Sequence, residues 1–191
     1  PLSFAIDCAH AGFSAGVAHG DLATACFASC HQVANVFSLG QPLDNALAEA
    51  RRGLVFSKKV AFYDVELILS VQQAFIENLH LGKGNVFSGH NLMSAIQHLS
   101  EDELSERMST LVFWYWLYKG MSHYFAAEYQ DAVFCLNKAG GYSWSAPAHI
   151  HLLDYHFFSA MALMAAETEV SAELRQKLER HQQQIQQWAE L

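Results

Sequence analysis

Three histidines and a carboxylate, His149, His151, Asp154 and His156, form the densest group of potential metal ligands in a chain that holds eleven histidines. Imidazole is the commonest protein ligand for zinc and its neighbours, and on a helix two ligands share a face when they lie three or four residues apart. His149 and His151 face apart and His149 to His156 spans two turns, so the spacing argues for cap, core-edge and surface histidines. A helical enzyme acting on a small ligand or through a metal around His123, His149, His151 and His156 is the alternative, and it requires those side chains to converge. Cys26 and Cys30 share a helical face, but His31 points about a hundred degrees away from Cys30 and the C-x-x-C spacing of zinc sites is missing. Gly82-Lys83-Gly84-Asn85 resembles a phosphate cradle only superficially, because it lacks the G-x-x-x-x-G-K-[ST] pattern. The chain carries no G-x-S-x-G elbow, catalytic-cysteine signature or kinase loop. The expectation is a non-catalytic segment with no metal site and no cofactor.

The aromatic residues suggest binding instead. Phe113, Trp114, Tyr115, Trp116 and Tyr118 wrap most of one helix, so they cannot all face one neighbour. Either the helix is central and packed on two sides, or part of the cluster meets a partner. Tyr142 and Trp144 stand in a loop, where aromatics either anchor the chain or bind. The candidate contact set is Trp114, Tyr118, His123, Tyr142, Trp144, His149 and Tyr155.

Helices must position these residues. Leu2, Ile6, Ala9, Phe13 and Val17 recur at helical spacing, and His19-Gly20 closes that first helix. Asp21 caps a second, which runs to Leu39-Gly40. Pro42 opens a third reaching Lys58-Lys59, and a fourth covers about 60 to 80. Gly82, Gly84, Asn85, Ser88 and Gly89 mark an irregular stretch of about ten residues, followed by a short helix at 90–99. Ser100 begins an acid-rich capping box whose helix is predicted to continue to Phe125. Further helices are predicted over 128–139, from Pro147 to Ala166, and over 171–190 as a cap or linker. No segment alternates with a period of two, so the fold is predicted all-α: antiparallel hairpins stacked as a tetratricopeptide-like α-solenoid in one domain, read as a fragment of a larger protein.

Composition narrows the partners. The chain has 191 residues, is 52% hydrophobic and only 16% charged, and leaves apolar surface for a neighbouring domain or a second copy. A net charge of −8 with only 11 basic residues argues against nucleic acid. The longest apolar run, Leu111 to Tyr118, is far short of the ~20 residues that cross a membrane. Without a secretory signal, the cytoplasm is the expected compartment, with Cys8, Cys26, Cys30 and Cys135 as reduced thiols buried in apolar stretches. Self-association through residues 111–118 and the last helix is a further possibility.

Two phrases repeat in variant form at helix turns, Gly16-Val-Ala-His-Gly-Asp-Leu-Ala-Thr-Ala25 and Tyr124-Phe-Ala-Ala-Glu-Tyr-Gln-Asp-Ala132. In each, a tight turn and an acidic residue introduce a second stretch whose Ala lies against the first. The run Ala11 to Ala25 resembles a family phrase in which a Gly-Tyr-x-x-Gly-Leu helix precedes Gly-Asp. Tyr155-His-Phe-Phe-Ser-Ala-Met-Ala-Leu163 is similar to that family's aromatic-rich helix. His181-Gln-Gln-Gln-Ile-Gln-Gln-Trp-Ala189 is similar to its helix ending in Trp-Ala, with His181 where the family often has Asn. The family is that of large multidomain signalling kinases, which join a serine/threonine-kinase-like domain, an AAA/STAND-type ATPase, helical repeats, a GAF domain and a sensor histidine kinase. The resemblance implies a regulatory tetratricopeptide-like region following the ATPase, binding a neighbouring domain, a regulatory protein or a small ligand. None of the family's catalytic residues maps onto this segment.

Overall fold

The computed structural model describes residues 2–81, 100–167, 169 and 171–190. The glycine-rich stretch and the short helix expected at 90–99 lie outside them. Among the described residues there are helices and no strands: α1 (Leu2–His19), α2 (Leu22–Ser38), α3 (Leu43–Lys59), α4 (Tyr63–Leu81), α5 (Glu101–Ser105), α6 (Ser109–Phe125), α7 (Tyr129–Gly140), α8 (His151–Ala166) and α9 (Ala172–Ala189). Consecutive helices pack as hairpins. In addition α2 meets α4, α4 meets α6 and α6 meets α8, so the even-numbered helices form one layer and α1, α3, α7 and α9 lie against its other side. This is the stacked-hairpin arrangement expected of an α-solenoid.

The turns show why the two repeated phrases look alike. Gly20 at φ 76°, Ala61 at φ 56° and Ala127 at φ 60° each end a helix in the left-handed conformation, and each is followed within a few residues by the next helix. At the second and third turns the bonding is that of a Schellman motif. Phe62 N–H donates to Ser57 O and Ala61 N–H to Lys58 O, as Glu128 N–H donates to His123 O and Ala127 N–H to Tyr124 O. Asp21 accepts the Thr24 N–H at 3.1 Å and so starts α2 as an N-cap. The small residues let the paired helices touch. A Cβ on Gly16 would lie 2.8 Å from Asp21 O and 2.9 Å from Ala25 N, and one on Gly120 would lie 2.6 Å from Leu136 Cγ.

Two helix boundaries differ from the sequence expectation. The Ser100 capping box forms, with Glu103 N–H donating to Ser100 Oγ and the Glu103 carboxylate accepting the Ser100 N–H, but α5 ends after five residues. Asp64 of α4 accepts the Met108 N–H at 3.3 Å and faces Arg107 at 3.5 Å, which fixes the chain between α5 and α6. Likewise α8 begins at His151 rather than at Pro147, because Ala148 sits at φ 61° and turns the chain before the helix can start.

The core centres on α6. Leu111 to Tyr118 are all buried, from 0% exposure at Leu111 to 4% at Tyr118. The aromatic run is thus the interior of the stack and offers no free face for self-association. Cys26, Cys30 and Cys135 are buried free thiols, whereas Cys8 is exposed, a departure from the four buried thiols expected. Burial pushes the Cys30 thiol well up and the Cys135 thiol up to about 12, so both rest as neutral thiols at neutral pH.

Candidate functional site

The seven contact residues fall into four places. Trp114 and Tyr118, one turn apart on α6, belong to a buried polar cluster. The Tyr118 hydroxyl lies 3.1 Å from His151 Nε2 and accepts from Gln72 Nε2 at 3.3 Å, while the same amide donates to Cys30 O at 3.1 Å. Trp114 stacks on His151 at 3.9 Å between centroids. The His31 ring, brought in by α2, stands edge-on to Trp114 at 5.6 Å and to His149 at 4.7 Å. Desolvation holds all three imidazoles neutral at physiological pH: His31 is lowered to about 4, His149 is lowered, and the fully buried His151 is lowered well below the ordinary histidine value.

The second place is the α8–α9 seam. Tyr155 packs edge-on to Phe113 and to His181, and its hydroxyl fills the space where a Cβ on Gly140 would be. His156 turns away from His149 and His151 to meet His181, Nδ1 to Nδ1 at 3.0 Å, with Trp188 edge-on at 5.4 Å. The third is the α6–α7 turn, where buried His123 places Nδ1 2.6 Å from Glu128 Oε2 and ties the end of one helix to the start of the next. The fourth is the 3-10 turn Ser143–Ser145, where Tyr142 packs against the core and Trp144 is 71% exposed. In that loop, then, Tyr142 is the anchor and Trp144 is the exposed ring.

The convergence required of a histidine-based metal enzyme is absent among the described residues. The His149 and His151 rings are 6.3 Å apart, and His156 belongs to the other seam. The three ligating groups that do approach one another, within 4.8 Å, are His123, Glu128 and Asp131. There the His123–Glu128 hydrogen bond already employs the imidazole as a structural tie.

One groove joins the first two places. It has a volume of about 470 Å³ and is lined by Leu2 and Ala5 of α1, Asn35 of α2, the Ala148–Ile150 turn, Leu152 and Leu153 of α8, and Trp188 of α9. Its volume is in the range of small-molecule sites, and its wall is apolar except for Asn35 and His149. The His149 Nδ1 atom is buried without a hydrogen-bond partner, and so are Trp114 Nε1 and His151 Nδ1 in the cluster behind it. The polar side chain of this wall that a guest can hydrogen-bond is the Asn35 amide. The positive φ of Ala148 turns the chain immediately before His149 along this wall.

Sequence reasoning selected His149 but not Asn35, Leu152, Leu153 or His31. Trp188 lies on the inward face of α9, half-buried against His156. No protein-family model matches the chain, and neither a curated protein nor a solved structure matches it. No described helix is long and apolar enough to cross a membrane.

Proposed function

We propose that this chain is a non-catalytic helical-repeat module, a regulatory segment of a cytoplasmic signal-transduction kinase, whose binding surface is the groove between α1, α2, α8 and α9. The observation that carries the binding reading is the groove: an apolar wall of ligand-sized volume interrupted by the Asn35 amide and the His149 ring. The assignment to a signalling kinase is supported by the three motifs at Ala11 to Ala25, Tyr155 to Leu163 and His181 to Ala189. Both ends of the stack contribute to the groove, through Leu2 and Trp188, so occupancy senses the relative placement of the terminal helices. A module that reports such placement to a neighbouring ATPase needs no catalytic group of its own.

The reading is tested by amide chemical-shift mapping of the isotopically labelled chain against a mixture of small, uncharged aromatic fragments. Shifts clustered at Ala5, Asn35, residues 148–153 and the Trp188 indole are expected. Shifts confined to other surfaces, or hydrolysis of generic ester or phosphate substrates that is lost in His149→Ala, would overturn it.

A further inference from the structure

We infer that the groove takes an uncharged, mostly apolar small molecule with one hydrogen-bonding group, and that this ligand fastens α9 to the rest of the stack. The inference rests on the groove being the binding surface and adds the class of ligand and its consequence.

The ligand class follows from the lining. No Lys, Arg, Asp or Glu is among the groove residues. His149, the one ionisable lining group, is held neutral by burial at physiological pH. A charged guest would lose its hydration without gaining a counter-charge, whereas an uncharged one loses little. Leu2, Leu152, Leu153, Ile150 and Trp188 supply apolar contact, and the guest's single polar group meets the Asn35 side-chain amide. A side-chain amide both donates and accepts, so one hydroxyl, amide or amine on the guest pairs with it.

The consequence follows from how α9 is held. Leu174 near its start is its one buried residue, and toward its end it depends on the half-buried His181 and Trp188 against Tyr155 and His156. A guest touching Trp188 on one side and Leu2, Leu152 and Leu153 on the other adds contacts that exist only while α9 is docked. By linkage, it stabilises the docked state by its differential affinity for it.

The probes are N-phenylnaphthylamine, which is uncharged, apolar and carries one N–H, and anilinonaphthalene sulfonate, the same skeleton bearing a sulfonate. Each is titrated by fluorescence into the intact chain and into Leu153→Glu and Leu153→Gln. Leu153 is 39% exposed, so both variants retain the fold, as circular dichroism checks. Expected are saturable one-to-one binding of the amine, at least about tenfold weaker binding of the sulfonate, about tenfold weaker amine binding in Leu153→Glu than in Leu153→Gln, and slower α9 amide exchange in the complex. If both probes bind equally and Leu153→Glu weakens both, the ligand class is overturned while the groove stands. Amine binding that leaves α9 exchange unchanged overturns the fastening. Absence of saturable binding, or binding indifferent to Leu153, overturns both this inference and the groove reading.

Discussion

Helix α6 buries twelve of its seventeen residues and helix α9 one of its eighteen. Both contain a Trp that sequence patterning could assign to binding, yet their roles are opposite. Around α6 the neighbours α4, α7 and α8 leave no open side, so Trp114 and Tyr118 serve as internal scaffolding for His151. Along α9 the apolar stripe is narrow and the remaining faces are polar, so Trp188 forms the edge of a groove rather than the middle of a core. Aromatic density therefore marks the interior of this fold, and aromatic sparsity marks its movable wall.

The largest effect that separates the two regions is expected from Phe113→Ala in α6. Phe113 has 0% exposure, and its truncation is expected to cost about 3–5 kcal/mol of global stability in chemical denaturation. A loss below about 1 kcal/mol would break the comparison at its core end.

Next comes Leu174→Ala in α9, which removes the one buried anchor of that helix. It is expected to weaken docking by about 2 kcal/mol, read as faster α9 amide exchange with little change in the denaturation midpoint of the rest. If the whole chain loses stability by that amount, α9 is part of the cooperative core.

Acid should act on the same seam. His156 is lowered to about 4, by desolvation first and then by His181, and His181 is itself lowered by desolvation and Arg180. Their facing Nδ1 atoms can share one proton, but two protonated rings present donor to donor. A histidine depressed in the folded state contributes stability that is present above its unfolded value near 6.5 and is lost as pH falls toward about 4. Asp154, raised to about 6 by burial on α8, works in the opposite sense, since its protonation in that window favours the folded form. With His156 and His181 acting on the seam, the protection of α9 amides, taken relative to their intrinsic exchange rate at each pH, is expected to fall as pH drops from 6.5 to 4. The paired variant His156→Gln with His181→Gln should flatten that dependence.

The smallest effect concerns the turns. Ala127 at φ 60° occupies a position that favours glycine, and Ala127→Gly is expected to raise stability by about 0.5 kcal/mol in thermal unfolding. A loss of stability would mean that the left-handed turn is not strained.

Most of the helical framework was legible in the sequence because its boundaries are local chemistry: Gly20 and Gly40 in positive φ, the Asp21 and Ser100 caps, and the lysines ending α3. The misread boundaries depend on distant partners. Nothing near Met108 signals that Asp64, from another helix, will capture its N–H, and nothing near Pro147 signals the turn at Ala148. The site was legible only in part for the same reason. Spacing rules apply within one helix, so they set His149 and His151 facing apart, whereas the turn at Ala148 leaves His149 outside α8 and both rings pack on Trp114. Such rules could not bring His31 across from α2 or pair His156 with His181 of α9. The aromatic run was ambiguous because a helix buried on all sides has no polar face to orient it.

Native-state hydrogen exchange across the whole chain, with and without N-phenylnaphthylamine, tests the central claim most directly. The account predicts that α6 amides exchange only through global unfolding, that α9 amides exchange at least about a hundredfold faster through local release, and that the probe slows α9 selectively. Equal protection of α6 and α9 in the free chain, or a probe effect spread evenly over both, would contradict it.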